Sequence, residues 1–595
     1  MFIPNIDKHV EEKYSPRVAF FVFELVLWLL ATHTHTCMEP QNHRGFDRHL
    51  QERRSANYKP NIWKYDFLQS LTSKNNDLED QHKKRVEELK LQVIHMLTEE
   101  TDILVKLELV DKIEKLGLGS YFEEEIKDAL QTILLPFSCS LIFAGYLYAT
   151  ALFFRLFRQY SLEVSQDMFR EFMDETGSFK ESKCEDVRGV LELYEASHLA
   201  FEGEQILIEA KSFALELLKC TCSSIEDGDL KLQVVHALKL PYHWGIRWFD
   251  VKWHVSALKD DALLKPMLEL AKINFNVVQS TLQKDLREVS SWWWNLGLME
   301  KLAFARDRLV ESFLCAVGVA FEPKNSHLRI WLTKVTTLVL IIDDVYDVYG
   351  SLDELHCFTN AVNRWDPKEI EGLPEYLNIC FEALRSVTDE IAHDMQTEKG
   401  WSQSVHPQLM KRWAEFCEAL FVEAKWYNNG FIPSLEEYCE NGWVSSSGIL
   451  LSTHLLLSIT KHNINHLHQN QDLLRNISLI IRLCNDLGTS QAEQERGDAA
   501  SSVLCYMQDA NVEEEAAREH INGMVEQLWR RINGAQLRSD EDEDDPELRM
   551  LANMNTNMAR MVLNLYQNGR DKFRDQDGDN QLQFLSVLVH PFSLG

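Results

Sequence analysis

Glycine and proline are scarce in this chain, at 24 and 14 of 595 residues. That scarcity excludes collagen-like, turn-rich β and low-complexity proteins. With Leu, Glu, Ala and Lys recurring at helical spacing, it predicts an all-α fold. The twelve cysteines form no CxxC pair, no Cys/His zinc spacing and no regular framework. A disulfide scaffold is thereby excluded, and reduced, mostly buried thiols fit best. Positive charge is also short: 61 Lys and Arg stand against 92 Asp and Glu, a net charge of −31. No clustered basic face interleaved with aromatics offsets it, which argues against nucleic acid as a partner. An anionic substrate would then need metal ions or a few placed arginines. His462 and His466 stand four apart without an HExxH motif or a nearby carboxylate, and read as a polar helix face.

At 595 residues the chain exceeds what one core usually serves, so two domains are expected. Residues 1–50 read as a leader of uncertain kind. Within them VAFFVFELVLWLLAT (18–32) follows Lys8, Lys13 and Arg17, but it contains Glu24 and is short for a membrane span. A secretory signal and an anchor are alternatives for this segment. Asp7, Glu11 and Glu12 conflict with an acid-poor plastid transit peptide. From Arg53 onward amphipathic segments such as VDKIEKLGLGSYFEEEIKDAL follow one another with no fixed repeat. A boundary near 250–265 divides an N-terminal helical domain, 51–260, from a C-terminal metal-binding catalytic domain, 261–595. The apolar stretch TILLPFSCSLIFAGYLY (132–148), with Pro136 inside, reads as a buried connection or as retained intron sequence. The acidic run Asp540–Asp545 and the segment DQDGDN (575–580) read as solvated loops.

Two segments carry chemistry. In WLTKVTTLVLIIDDVYDVYG an apolar helix runs into Asp343, Asp344 and Asp347. On an ideal helix Asp343 and Asp347 share a face while Asp344 points about 100° away. Two buried carboxylates need cations between them, and hard oxygen ligands suit Mg²⁺ or Mn²⁺. An exposed acidic helix end would explain the DDxxD motif taken alone. In LIIRLCNDLGTSQAEQERGD, Asn485, Thr489 and Glu493 form a stripe at i, i+4 and i+8. An amide oxygen, a hydroxyl and a carboxylate can hold one Mg²⁺ and leave positions for water and phosphate oxygens. Arg482 falls on nearly the same face and could grip a phosphate with its planar fork.

Together these motifs resemble the DDxxD and NSE/DTE metal sites of plant class I terpene synthases, over roughly residues 53–595. Arg306-Asp307-Arg308 is similar to the family's RxR motif. Arg53-Arg54, eight residues and Trp63 resemble the tandem-arginine motif of its monoterpene branch. The resemblance implies an N-terminal helical barrel domain and a C-terminal class I terpenoid synthase bundle. Its pocket would hold a prenyl diphosphate under three Mg²⁺ ions, with Mn²⁺ an alternative. Metal ligands would be Asp343, Asp347, Asn485, Thr489 and Glu493. Asp344, Arg306, Arg308 and Arg482 would complete the catalytic set, with Arg306, Asp343, Asp347, Arg482 and Asn485 binding substrate. Arg53, Arg54 and Trp63 would close the site.

The expected activity is that of a monoterpene synthase on geranyl diphosphate, yielding an olefin or alcohol. The alternatives are a sesquiterpene synthase on farnesyl diphosphate, or a decayed, non-catalytic helical binding protein. A monomer or weak homodimer, off the membrane, is expected, in the plastid or alternatively the cytosol. Three positions depart from the family. Cys315 stands where several members carry a pocket tryptophan. Ser501 stands where a lysine is usual, and the loop around Asp571 lacks the usual YQxGDGxG phrasing.

Overall fold

Apolar residues every three or four positions, with few breakers between them, make helices that each bury one stripe. The computed structural model describes residues 56–71, 78–134, 143, 145–258, 262–399, 405–459, 470–496, 500–539, 546–566 and 578–594. Among them there is no strand, only an isolated antiparallel bridge between Met173 and Phe179. The leader at 1–50, Arg53 and Arg54 lie outside the described residues, as do His462, His466, Asp540–Asp545 and Asp571. Of the apolar stretch at 132–148, residues 135–142 and 144 also lie outside them; its far end enters a helix in which Leu147 and Tyr148 are buried.

Residues 54–595 form one compact unit. A first group of helices runs α1 (Tyr65–Ser70), α2 (Leu78–Glu99), α3 (Ile103–Lys115), α4 (Glu123–Leu134), α5 (Leu147–Gln159), α6 (Val187–Ser197), α7 (Gln205–Thr221), α8 (Gly228–Lys239) and α9 (Arg247–Ala257). A second begins with α10 (Lys265–Leu296), α11 (Leu309–Val319), α12 (Ser326–Asp344), α13 (Leu352–Arg364), α14 (Glu375–Lys399) and α15 (His406–Asn428). It continues through α16 (Leu435–Ser445), α17 (Gly448–Ile459), α18 (Gln471–Arg496), α19 (Ser502–Ala510), α20 (Glu514–Ser539), α21 (Pro546–Leu565) and α22 (Gly578–Phe584). Leu435–Ile459 is long and apolar enough to cross a membrane, but 72% of its apolar window is buried inside the protein, as in a core helix.

One apolar core runs through both groups. Phe157 and Leu193 of the first are continuous with Leu282 of α10, Phe313 of α11 and Leu588 beyond α22. Buried charges fix helix positions within this framework. Arg329, fully buried on α12, donates to Asp285 of α10 at 2.6 and 3.0 Å and to the carbonyls of Ala320 and Glu322. Removing one partner of such a buried pair typically costs about 3–5 kcal/mol. The α10–α12 register that aims the end of α12 therefore depends on it.

A second buried network ties α3, α5 and α6 together: Arg155 bonds both Asp111 and Glu192. Beside it Glu195 accepts the Tyr242 backbone N–H at 2.8 Å. Burial pushes the Glu195 carboxyl up to about 7, against the pull of Arg155. A carboxyl raised in this way favours the fold below its ordinary value near 4.5 and loses that contribution as pH rises through 7. Glu195→Gln should therefore melt at a temperature that falls less than the wild type's between pH 5 and pH 8, by an amount equivalent to ~3 kcal/mol. Thermal melts of both proteins across that range check it; parallel curves would contradict it.

Candidate active site

Helix α12 lays a stripe along a cavity. Leu332, Thr336, Val339, Leu340 and Asp343 recur at helical spacing and line one space of about 160 Å³. Cys315, Ala316 and Val319 of α11 form another wall, and Ile481, Arg482 and Asn485 of α18 a third. Met558, Met561, Val562 and Leu565 of α21 complete it, with Tyr566 just past that helix. Arg306, Asp343, Arg482 and Asn485 make one end polar, and the rest is mostly apolar.

The aspartates are not arranged as an ideal helix predicts. α12 stops at Asp344 and the chain continues as a π-turn, Val345–Tyr349, closed by the Gly350 N–H on the Val345 carbonyl at 2.8 Å. A Cβ at Gly350 would stand 2.5 Å from Leu355 and 2.9 Å from that carbonyl, so only glycine fits. Asp347 lies inside this turn, half-buried, and Asp343 is the aspartate that lines the cavity.

Asp344 turns inward and is fully buried. It accepts the Arg306 backbone N–H at 2.8 Å, Arg306 Nε at 2.9 Å and the Tyr58 hydroxyl at 2.6 Å. Arg306 Nη2 reaches Asp343 at 2.5 Å, so one guanidinium bridges both acids. Burial pushes the Asp344 carboxyl up to about 6, opposed chiefly by Arg306. Arg308 is almost wholly buried; it donates to the Lys59 carbonyl at 3.0 Å, tying down the N-terminal segment. Trp63 of that segment packs its ring 4.0 Å from Phe584.

On the opposite wall Arg482 donates to Ser445 Oγ at 2.7 Å and lies 3.4 Å from Glu423. Burial works against its charge, but Glu423, Tyr438, Asp486 and Asp343 together outweigh this and hold the guanidinium pKa well above the ordinary value. Ser445 ends α16, and the bend into α17 passes through Ser447 in the left-handed region, at φ 63°. Asn485 Nδ2 donates to the Tyr566 hydroxyl at 2.8 Å, which fixes the amide on the cavity wall with its oxygen as the acceptor atom. Thr489, one turn on, donates to the Asn485 carbonyl at 3.0 Å. Glu493 continues the helix, with its side chain outside the described part. Tyr566 can lie here because position 488 is glycine: a Cβ there would sit 2.6 Å from its ring.

Four participants were not singled out as site residues in the sequence: Tyr58, Glu423, Asp486 and Tyr566. Asp486, buried between the Tyr438 hydroxyl at 3.0 Å and the Ser502 N–H at 2.8 Å, anchors α18. Ser501 caps α19 by accepting the Leu504 N–H at 3.4 Å, a structural task a lysine could not perform.

Among the described residues no three His, Cys, Asp or Glu side chains converge on one point as a closed metal cage. That suits Mg²⁺, which keeps much of its shell for water and phosphate and takes one or two carboxylates from protein. The oxygen-only donors at Asp343 and Asn485, facing one cavity with two arginines, fit such a group.

Residues 62–238 match the model of the terpene synthase N-terminal domain, and residues 294–531 match that of the terpene synthase family metal-binding domain. The chain is 54% identical over 552 residues to an alpha-farnesene synthase of Ricinus communis, covering 92% of this chain and 96% of that one. It belongs to the terpene synthase family. An (E,E)-alpha-farnesene synthase of Malus domestica is 52% identical, covering 91% and 94%, and a chloroplastic alpha-thujene synthase of Litsea cubeba is 42% identical, covering 91% and 92%. Among solved structures, isoprene synthase from grey poplar leaves, in complex with three Mg²⁺ ions and dimethylallyl-S-thiolodiphosphate, matches with a TM-score of 0.81 at 39% identity, covering 90% of this chain and 99% of that one. This terpene synthase thus has the family's all-α architecture, with its polar cavity end inside the metal-binding domain.

The Tyr58 hydroxyl is the direct link from the N-terminal segment to the acidic helix end. Tyr58→Phe should cost ~1–3 kcal/mol at this joint. Amide exchange over residues 56–64 should quicken and turnover should fall roughly ten-fold. Hydrogen-exchange mass spectrometry with steady-state assay checks it; unchanged exchange would remove Tyr58 from this role.

Proposed function

We propose that this terpene synthase converts farnesyl diphosphate to an acyclic sesquiterpene of the farnesene type. The observation that carries the reading is the identity of 54% and 52%, over more than nine-tenths of each chain, to two alpha-farnesene synthases. A ten-carbon substrate was expected from Arg53, Arg54 and Trp63, but those residues speak to closure of the site and not to its depth. The division at about 260 is part of the same proposal, supported by family models matching 62–238 and 294–531. A plastid address has support from the name of the Litsea cubeba relative; it would reside in residues 1–50, and the cytosol is the alternative.

Mg²⁺, three ions by analogy with the poplar structure, would be held by Asp343, Asp347, Asn485, Thr489 and Glu493 and would supply positive charge to the leaving diphosphate. Arg306 and Arg482 bind diphosphate oxygens from opposite walls. The bond from C1 to oxygen breaks, the electron pair leaves with the diphosphate, and an allylic cation faces the apolar part of the cavity. Val319, Leu332, Val339, Ile481 and Val562 exclude water there. Tyr566 is the one aromatic ring among the described lining residues, so cation–π guidance toward ring closure is sparse. Early proton loss to the departing diphosphate gives a conjugated acyclic olefin. Asp344 acts by positioning Arg306.

Full-length enzyme with Mg²⁺ should show a higher kcat/KM for farnesyl than for geranyl diphosphate and release farnesene, as read by gas chromatography with mass detection. A preference for geranyl diphosphate would restore the monoterpene reading; turnover of neither would leave a binding protein. Asp343→Ala should lower turnover by roughly 10²-fold or more while its thermal melt stays close to the wild type's. Near-normal turnover would contradict the site.

A further inference from the structure

Helix α11 carries a glycine that its own backbone does not require. Gly318 lies in the last turn of a regular helix, where alanine is the better helix former. It is not a left-handed cap, since the helix ends through Ala320 at φ −148°. The reason lies across the interface. A Cβ on residue 318 would stand 2.6 Å from Met561 Sδ and 3.5 Å from its Cγ, with Ile246 Cδ1 at 3.6 Å on the other flank. Met561 is 3% exposed and lines the cavity, so its thioether is seated in the notch that the missing Cβ leaves.

This notch lies at the apolar end of the cavity. From Asp343 back to Leu332, both lining residues, α12 rises ~16 Å. Helix α11 returns antiparallel to it, so that the Ala320 carbonyl past its end meets Arg329 of α12 while Arg306, before its start, meets Asp343. A methyl group at 318 would drive the Met561 thioether out of its seat. Ile246 closes one side, and the cavity is the open space beside it.

We infer that Gly318 is a specificity-determining residue: by seating the Met561 thioether in its notch, it keeps the apolar end of the cavity deep enough for the third isoprene unit of a fifteen-carbon diphosphate. The inference rests on the farnesyl reading above. Cys315, one turn earlier on α11 and itself lining the cavity, spares the same space by being small. The diphosphate end is untouched by this device, so a shorter prenyl chain should feel it less.

The test uses full-length enzyme with Mg²⁺ and the ratio of kcat/KM for farnesyl over geranyl diphosphate. Gly318→Ala should lower that ratio about ten-fold or more, mainly through a higher KM for farnesyl diphosphate, since one methyl group's volume in an apolar pocket discriminates on this scale. The double variant Gly318→Ala/Met561→Ala, which removes the displaced side chain, should return the ratio toward the wild type's. A ratio within about two-fold of wild type in Gly318→Ala, or a loss of both substrates that the second substitution does not reverse, would overturn the inference. The farnesyl reading fails separately, on a wild-type ratio favouring geranyl diphosphate. In that case a ratio that still falls in Gly318→Ala and recovers in the double variant would support the depth role on its own.

Discussion

Arg306 is what allows two adjacent carboxylates to stand at the end of an apolar helix. Its guanidinium spans Asp343 and Asp344, and its backbone N–H binds the second of them. Without it both acids would repel each other with little water to screen them. Because Asp344 also takes the Tyr58 hydroxyl, the N-terminal segment, the Arg306–Arg308 loop and the end of α12 are bonded to one another. Asp343, 28% exposed at its side chain, is the member of the pair turned to the cavity. Sharing it with a cation would release part of Arg306 for an anionic ligand, so the assembly is poised between holding itself and holding a diphosphate.

The opposite wall repeats the principle with different residues. Glu423 and Ser445 fix Arg482 from behind, and Tyr438 and Ser502 fix Asp486 one turn along α18. In both walls a buried acid sets an arginine or a helix, and a second, less buried group faces the cavity. Such pairs are expensive to desolvate and tolerate little displacement, which is what a site handling a charged leaving group and a bare cation requires.

The helical fold was legible because its signal is local: scarce glycine and proline, and an apolar period that persists from Arg53 onward. Asp343, Arg482 and Asn485 were legible as well, since each sits where an apolar run turns polar. The role of Asp344 was not. Helical geometry put it 100° from the cavity and said nothing of an arginine 38 residues upstream. Nor could spacing foresee the π-turn at Val345–Tyr349, because i+4 counting presumes an α-helix. Tyr58, Glu423 and Tyr566 belong to the site through contacts across 286, 59 and 81 residues, respectively. The choice between ten and fifteen carbons escaped for a similar reason. It depends on cavity depth, set where helices from distant parts of the chain meet.

The contact between Trp63 and Phe584 carries a consequence for how the protein is made. Around it, Asn276 and Gln279 of α10 bind carbonyls at Phe592 and Val587. A nascent chain still held in the ribosome short of these residues has no surface on which to seat its early tryptophan. The seat of Trp63 is thus among the last contacts to form, and a polypeptide stopped short of Phe584, even one carrying Asp343, Arg482 and Asn485, would lack it.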